Sequence, residues 1–374
     1  MSNPQVLHII SSSGLYGAER VLLNQLSVDT GVEAAVLCLG VESGNKNPFV
    51  AALTKLNIDV ILEKGKGGTA DAYRALRHAI CTLRPDVIHC HGYKETILGC
   101  IAGLLFQKRV IVTQHGFTNR TRKIKWYNQL ATWCCRLFAV EKIICVSDSI
   151  LKYYQDQKID PQRLLLLPNA IHLPSSEPER VKGDVFSFER GENELLIGFI
   201  GRLSSEKGPD RFLEMISKLS KETARFKAIV VGGGPLIREL EAWVTKAGLS
   251  EKIVFCGFRE DVEDIIRCLD ILVMPSRTEG TPMVLLEAMA LRVSVAAFSV
   301  GGIPAVVQHG QNGMLAPDGD IDMLASHVMS LMNDAGLRDR LGESASQCIA
   351  EHYNICRQGS LLASLYRKEG AYAG

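Results

Sequence analysis

Glu279 and Glu287 stand with seven residues between them in RTEGTPMVLLEAMA, residues 277–290, on either side of a Thr-Pro step where an apolar run begins. Thr is a good helix N-cap, and Pro suits the first helical position because it has no N–H to lose. Thr281-Pro282 therefore predicts a helix start. The amides of Met283, Val284 and Leu285 then have no helical partner. Together with the positive end of the helix dipole they suit an anion, a phosphate above all. Glu279 falls in the loop before this helix and Glu287 further inside it. Taken alone, the two acids are equally a loop carboxylate and a solvated helix residue.

Other loops have compositions of the same kind. In GRLSSEKGPDRF, 201–212, Arg202 and Lys207 flank a Ser-rich turn at a strand end. Two cations facing a helix N-terminus would neutralise a diphosphate; the alternative is a surface turn with solvated charges. In SSSGLYGAER, 11–20, Gly14 and Gly17 let the backbone approach a ligand, but the G-x-G-x-x-G spacing is missing, which disfavours NAD. Gly232, Gly233 and Gly234 with Pro235 open another helix, and Phe258-Arg259 offers planes that would stack on a nucleobase. Gly301-Gly302 and Asn312-Gly313 read as turns. His89 and His91, in HCHG, end a strand with no third ligand spaced nearby, so they read as acceptor contacts or buried histidines rather than a metal site.

Strands alternating with helices must position these loops. The runs VLHII, AAVLCL, VIHC, RVIVTQ and KIICVS are apolar without period-2 alternation, and amphipathic stretches separate them. That pattern predicts a parallel sheet covered on both faces. It pauses at 173–193, rich in Pro, Ser and charge, and restarts with LLIGFIG, AIVVGGGP, KIVFCG, DILVMPS and VSVAAF. At 374 residues the chain suggests two domains. Two doubly wound α/β domains are expected, 1–185 and 186–355, with ligands at the carboxyl ends of the strands.

Composition narrows the function. Charged residues are 22% and the net charge is +1, so no global case for nucleic acid exists. Eleven cysteines, several in apolar strand-like runs and none in a C-x-x-C pair, read as reduced thiols. No signal peptide is evident, and the longest apolar run, ILGCIAGLLF, is too short for a bilayer. A cytoplasmic protein is expected.

The ordered blocks GAER, VSDS, LPNAI, IGFIGRLSSEKGPD, GGGP, FCGF, PSRTEGTPMVLLEAMA, GGIP and HGQNGMLAPDGD closely resemble the family-four retaining glycosyltransferases of the GT-B fold. The resemblance runs through nearly the whole chain and is densest in 195–320. It implies two Rossmann-like domains facing a cleft, an acceptor-binding one and a nucleotide-sugar-binding one, with the last helix, within 356–374, packing back on the first. It implies that Arg202 and Lys207 grip the donor diphosphate and that the amides of Met283, Val284 and Leu285, after Thr281 and Pro282, support it. Glu279 would meet the donor sugar hydroxyls, Glu287 the ribose, His115 the sugar and reaction centre, and Gly17 the phosphate. Arg259 is the candidate for reading the base. Loss of a nucleoside diphosphate would be stabilised by cations and a helix dipole rather than a metal. Front-face attack, with the departing phosphate accepting the proton, would leave no catalytic base to assign. Thr281 and Ala305 depart from the family's usual residues and bear on donor identity.

Between Glu95 and Glu141 no acid occurs, while Arg120, Arg122, Lys123, Lys125 and Arg136 are interleaved with Trp126, Tyr127 and Trp133. Such a stretch suits an anionic membrane surface or a phosphate-bearing acceptor, and a solvated helix face is the rival reading. His91, Lys94, Arg120, Arg122 and Lys123 are the acceptor candidates. The expected activity is metal-independent, retaining hexosyl transfer from a UDP-sugar, with GDP-mannose the next choice. The expected acceptor is a glycan or lipid-linked molecule of the cell envelope or an exopolysaccharide. The alternatives are a small soluble acceptor, a nucleotide-sugar epimerase or hydrolase, and a binding partner without turnover.

Overall fold

The computed structural model describes residues 4–12, 14–41, 47–63, 68–116, 122–138, 140–174, 191 and 194–368, with backbone alone for Arg122 and Lys123. The chain divides into two compact units, Met1–His172 with Asn354–Gly374, and Leu173–Tyr353.

The first unit is built on β1 (Gln5–Ser11), β2 (Glu33–Leu39), β3 (Asp59–Leu62), β4 (Val87–His91), β5 (Arg109–Gln114), β6 (Val140–Cys145) and β7 (Leu164–Leu166). They pair in the order β3-β2-β1-β4-β5-β6-β7, all parallel. The second unit has β8 (Leu195–Ile200), β9 (Phe226–Val231), β10 (Ile253–Gly257), β11 (Ile271–Met274), β12 (Ser294–Phe298) and β13 (Met314–Ala316). Its order is β10-β9-β8-β11-β12-β13, again all parallel. All five residues of β4 and of β12 are buried, as in a parallel sheet covered on both faces.

The strand order of each sheet reverses once, between β1 and β4 and between β8 and β11. In a doubly wound sheet the carboxyl ends of those two strands flank the ligand crevice. The loops after β1, β4, β8 and β11 are therefore the ones topology singles out.

One face of the first sheet is covered by the helix Ile355–Arg367, capped by Asn354, whose Oδ1 accepts from the Cys356 amide at 2.9 Å. Its Leu362, Leu365 and Tyr366 pack on Val6, Val87, Ile111 and Ile144 of the sheet. Arg109 closes the helix's far end. Its guanidinium donates to the carbonyls of Leu365, at 2.9 Å, and Tyr366, while its Nε and Nη2 fork onto Glu141 at 2.7 and 2.6 Å. A cation at a helix C-terminus meets unpaired carbonyls and the negative end of the dipole. Among the described residues no helix is long and apolar enough to cross a membrane.

Candidate active site

In the second unit, glycines bring the loops after β8, β9, β11 and β12 into backbone contact. Gly208 sits at φ +68, and a Cβ there would lie 2.2 Å from the Pro275 carbonyl oxygen. Gly301 sits at φ +57, where a Cβ would lie 2.0 Å from the Glu279 carbonyl oxygen. Both positions demand glycine twice over, for conformation and for space. The Leu203 amide donates to Gly233 at 2.9 Å, and the Arg277 amide to Glu206 at 2.8 Å.

This lacing places Lys207 against Glu279. The Lys207 Nζ donates to both carboxylate oxygens, at 2.8 and 2.7 Å, and Ser276 Oγ donates to Oε1 at 2.7 Å. The Glu279 side chain is 5% exposed and that of Lys207 is 32% exposed. A buried carboxylate persists only when paired and hydrogen-bonded, and Glu279 is both. Its partner Lys207 keeps one side open to solvent. The loop then enters the helix Met283–Ala290, whose first amides have no helical partner.

The first unit concentrates neutral imidazoles instead. His8 on β1, His89 and His91 on β4, and His115 just beyond β5 share one face of the sheet, because His8 pairs with His89 and His91 with Thr113 in register. His91 Nε2 meets His8 Nδ1 at 3.0 Å, and His91 Nδ1 meets His115 Nε2 at 3.0 Å. His89 is held by the hydroxyls of Tyr366 and Thr113, each at 2.7 Å. Burial pushes the pKa of His8 down to about 3 and that of His115 down to about 4. Burial first, then neighbouring imidazoles, holds His89 and His91 well below the ordinary histidine value. The nitrogens of His8, His89 and His91 lie close enough together to consider a metal ion. Yet both nitrogens of His89 and His91 and Nδ1 of His8 are already engaged in hydrogen bonds, so the cluster is complete without one.

The family described as Glycosyltransferase Family 4 matches residues 17–174, and that described as Glycosyl transferases group 1 matches residues 183–347. The chain is a family-four glycosyltransferase of the GT-B fold. It is similar to the UDP-Gal:alpha-D-GlcNAc-diphosphoundecaprenol alpha-1,3-galactosyltransferase of Escherichia coli, at 25% identity over 98% of this chain and 97% of that one. It is also similar to the 2-deoxystreptamine glucosyltransferase of Streptomyces kanamyceticus, at 33% identity over 56% of this chain and 52% of that one. Among solved structures, Anabaena Alr3699/HepE in complex with UDP-glucose shares the fold with a TM-score of 0.84, at 19% identity over 97% of this chain and 99% of that one.

Within this glycosyltransferase the residues singled out from sequence fall as follows. Lys207 and Glu279 are joined in one ion pair, and Arg202 is exposed beyond the end of β8. Thr281 does not cap the helix. Pro282, in extended conformation at ψ 129, is the flanking residue, and Met283 is the first helical one. Val284, Leu285 and Glu287 follow within that helix, with Leu285 buried. Arg259 lies beyond β10 at the edge of the sheet, two strands from the reversal, where its Nε binds Asp261 at 2.7 Å. Gly17 opens the helix Gly17–Leu26, and a Cβ there would meet nothing within 4 Å. The protein itself thus leaves open space at that position. Lys94 is half-buried in the first turn of the helix Tyr93–Phe106. His91 is only 4% exposed, and its two ring nitrogens meet His8 and His115. Arg120 and the side chains of Arg122 and Lys123 lie outside the described residues.

Sequence reasoning missed His8, the third histidine beside His89 and His91. Two D-x-D triplets, Asp318-Gly319-Asp320 and Asp320-Ile321-Asp322, also offer cation-like spacing. All three acids have structural duties. Asp318 binds Arg211 at 2.7 Å, Asp320 accepts from the Met323 amide at 2.9 Å as a helix cap, and Asp322 binds Lys218 at 2.5 Å.

Proposed function

We propose that this glycosyltransferase moves a hexose from a UDP-sugar to a glycan or lipid-linked acceptor of the cell envelope or an exopolysaccharide, with retention and without a metal. The observation that carries the reading is the Lys207–Glu279–Ser276 cluster at the β8/β11 reversal, directly before a helix start. Lys207 and Arg202 take the diphosphate, and the amides of Met283 to Leu285 support it. Glu279 accepts from sugar hydroxyls and Glu287 from the ribose. His115 meets the sugar end of the donor. The bond from the anomeric carbon to the phosphate oxygen breaks, and its electron pair stays on the phosphate. The acceptor hydroxyl attacks from the same face and gives its proton to that phosphate. Negative charge grows only on the leaving group, where a fixed cation and a helix start stabilise it most. The lipid-linked acceptor of the E. coli relative, which aligns over nearly the whole chain, supports this acceptor class.

A membrane contact belongs to the same reading. The helices Tyr93–Phe106 and Arg122–Leu137 leave Leu104, Leu105, Trp126, Trp133 and Leu137 exposed, with Lys108, Lys125 and Arg136 close by in sequence. Apolar and aromatic side chains beside cations suit an anionic lipid surface. Co-sedimentation with anionic but not neutral vesicles is expected, and absence of binding to either would remove the contact.

Thermal unfolding with UDP, GDP, ADP and their sugar conjugates, with and without Mg²⁺, tests the donor assignment. At about 100 times Kd a ligand adds about 2.7 kcal/mol. A shift with UDP species alone, independent of Mg²⁺ and weakened by Arg202→Ala, is expected. No shift with any nucleotide would overturn the assignment, and turnover only with Mg²⁺ would overturn metal independence.

A further inference from the structure

We propose that His8, His91 and His115 form a single tautomer-coupled imidazole chain, in which His8 and His91 act as positioning residues that fix whether Nδ1 of His115 accepts or donates a hydrogen bond. The geometry is a line of two hydrogen bonds, His8 Nδ1 to His91 Nε2 and His91 Nδ1 to His115 Nε2, each 3.0 Å long. The inner end of the line is Nδ1 of His115, which is buried and has no hydrogen-bond partner among the described residues. The outer end is Nε2 of His8, a residue that also lines a cavity of about 50 Å³ together with Gln25, Thr30 and Tyr366. That space is enough for a water molecule among polar neighbours.

Burial keeps the three rings neutral, as their lowered pKa values record. A neutral imidazole carries one N–H and one bare nitrogen. Each link therefore needs a protonated nitrogen on one side and a bare one on the other. If His115 donates through Nε2, then His91 must donate through Nε2 to His8, and Nε2 of His8 carries its hydrogen. If His8 donates through Nδ1, every proton moves to Nδ1 instead. Only two arrangements satisfy the chain, all three rings protonated on Nε2 or all three on Nδ1. His89 stands outside this constraint, because hydroxyls at both its nitrogens either donate or accept.

The unliganded protein should adopt the Nε2 form. A buried N–H without a partner is rarer and costlier than a bare acceptor, so Nδ1 of His115 is left bare. In that state it accepts a hydrogen bond and cannot give one. On the reading that His115 meets the donor sugar, its partner is then a sugar hydroxyl acting as donor. The chain fixes this sense before the ligand arrives, as an orienting partner does for a catalytic imidazole.

The test uses the full-length protein labelled with ¹⁵N-histidine. Long-range ¹H–¹⁵N spectra distinguish bare from protonated ring nitrogens, and single substitutions assign the resonances. The expected result is the Nε2 tautomer for His8, His91 and His115 alike. Different tautomers within the three would overturn the coupling, whatever the protein's substrate. His8→Phe removes the outer link, and kcat should fall about 10- to 100-fold, the scale set by the orienting partners of metal-bound histidines, with KM for the donor unchanged. His8→Asn places an amide at the Nδ1 position and should restore the rate. A folded His8→Phe protein with wild-type kcat would overturn the positioning role. If His8→Phe does not fold, the wild-type spectrum and His8→Asn still decide. Failure of the transferase reading would instead appear as no turnover in the wild type, with the tautomer result untouched.

Discussion

Acid should unfold the first unit before the second, and the histidines set the size of the effect. His8, His89, His91 and His115 are all neutral in the folded chain, with pKa values pushed to about 3 for His8, about 4 for His115 and well below the ordinary value for the other two. In the unfolded chain each titrates near about 6.5. The unfolded state therefore binds more protons throughout the window between those values, and stability falls as pH falls through it. At about pH 5 each unfolded imidazole gains about 2 kcal/mol from protonation that its folded counterpart lacks, against about 0.2 kcal/mol at about pH 7. His8 and His115 alone remove about 4 kcal/mol over that interval, a large share of a domain's stability of about 5–15 kcal/mol, and His89 and His91 act in the same direction. Glu95 opposes the trend, since burial raises its pKa and the folded state binds its proton more readily.

Hydrogen exchange read by mass spectrometry, corrected for intrinsic rates, measures this strand by strand. Protection of β1 and β4 should collapse between about pH 7 and about pH 5, while β8 and β11 keep theirs. Equal protection of β1 and β4 at both values would refute the claim that these imidazoles stay neutral when folded. A collapse shared equally by both sheets would refute their role as its cause.

Lys207→Ala leaves Glu279 buried with Ser276 alone. A loss of about 1–3 kcal/mol is expected, below the 3–5 of a fully buried pair because Lys207 is partly exposed, and adding Glu279→Gln should recover denaturant stability without recovering turnover. Gly208→Ala should cost about 1–3 kcal/mol from its positive φ and more from the Pro275 carbonyl, with loss of the UDP-induced melting shift. Gly17→Ala meets no atom of the protein, so unchanged unfolding with weakened donor binding is expected by calorimetry. Tyr366→Phe deprives buried His89 of a hydroxyl partner and should lower the melting temperature by the equivalent of about 1–3 kcal/mol.

Local chemistry made much of the second unit readable. Gly, Ser and Pro at strand ends have few uses other than tight turns, and Gly208, Gly232 and Gly301 all occupy positive φ. The helix start was legible to within a residue, placed at Pro282, one residue before the observed Met283. Pro282 keeps ψ in the extended range, so it ends the loop instead of opening the helix. The Lys207–Glu279 pair was not legible, because its members lie 72 residues apart and meet only through the β8/β11 adjacency. His8 was missed for a related reason. One histidine in an apolar strand reads as core, and only parallel pairing of β1 with β4 sets it beside His89.

These two pairings show what strand order adds to composition. At β8/β11 it couples a cation to an anion, a combination that an incoming phosphate can compete for. At β1/β4 it couples neutral rings, for which no charge is available and the direction of a hydrogen bond is the only quantity left to fix. A diphosphate requires the first arrangement, since a dianion is held by charge and amides. A sugar hydroxyl requires the second, because it is recognised by whether its neighbour gives or accepts a proton, and a charged imidazole could only give. On the proposed function the same topology gives an electrostatic site in one unit and a directional one in the other, and substituting a single residue, His8 of β1 or Lys207 in the loop after β8, should separate the two functions.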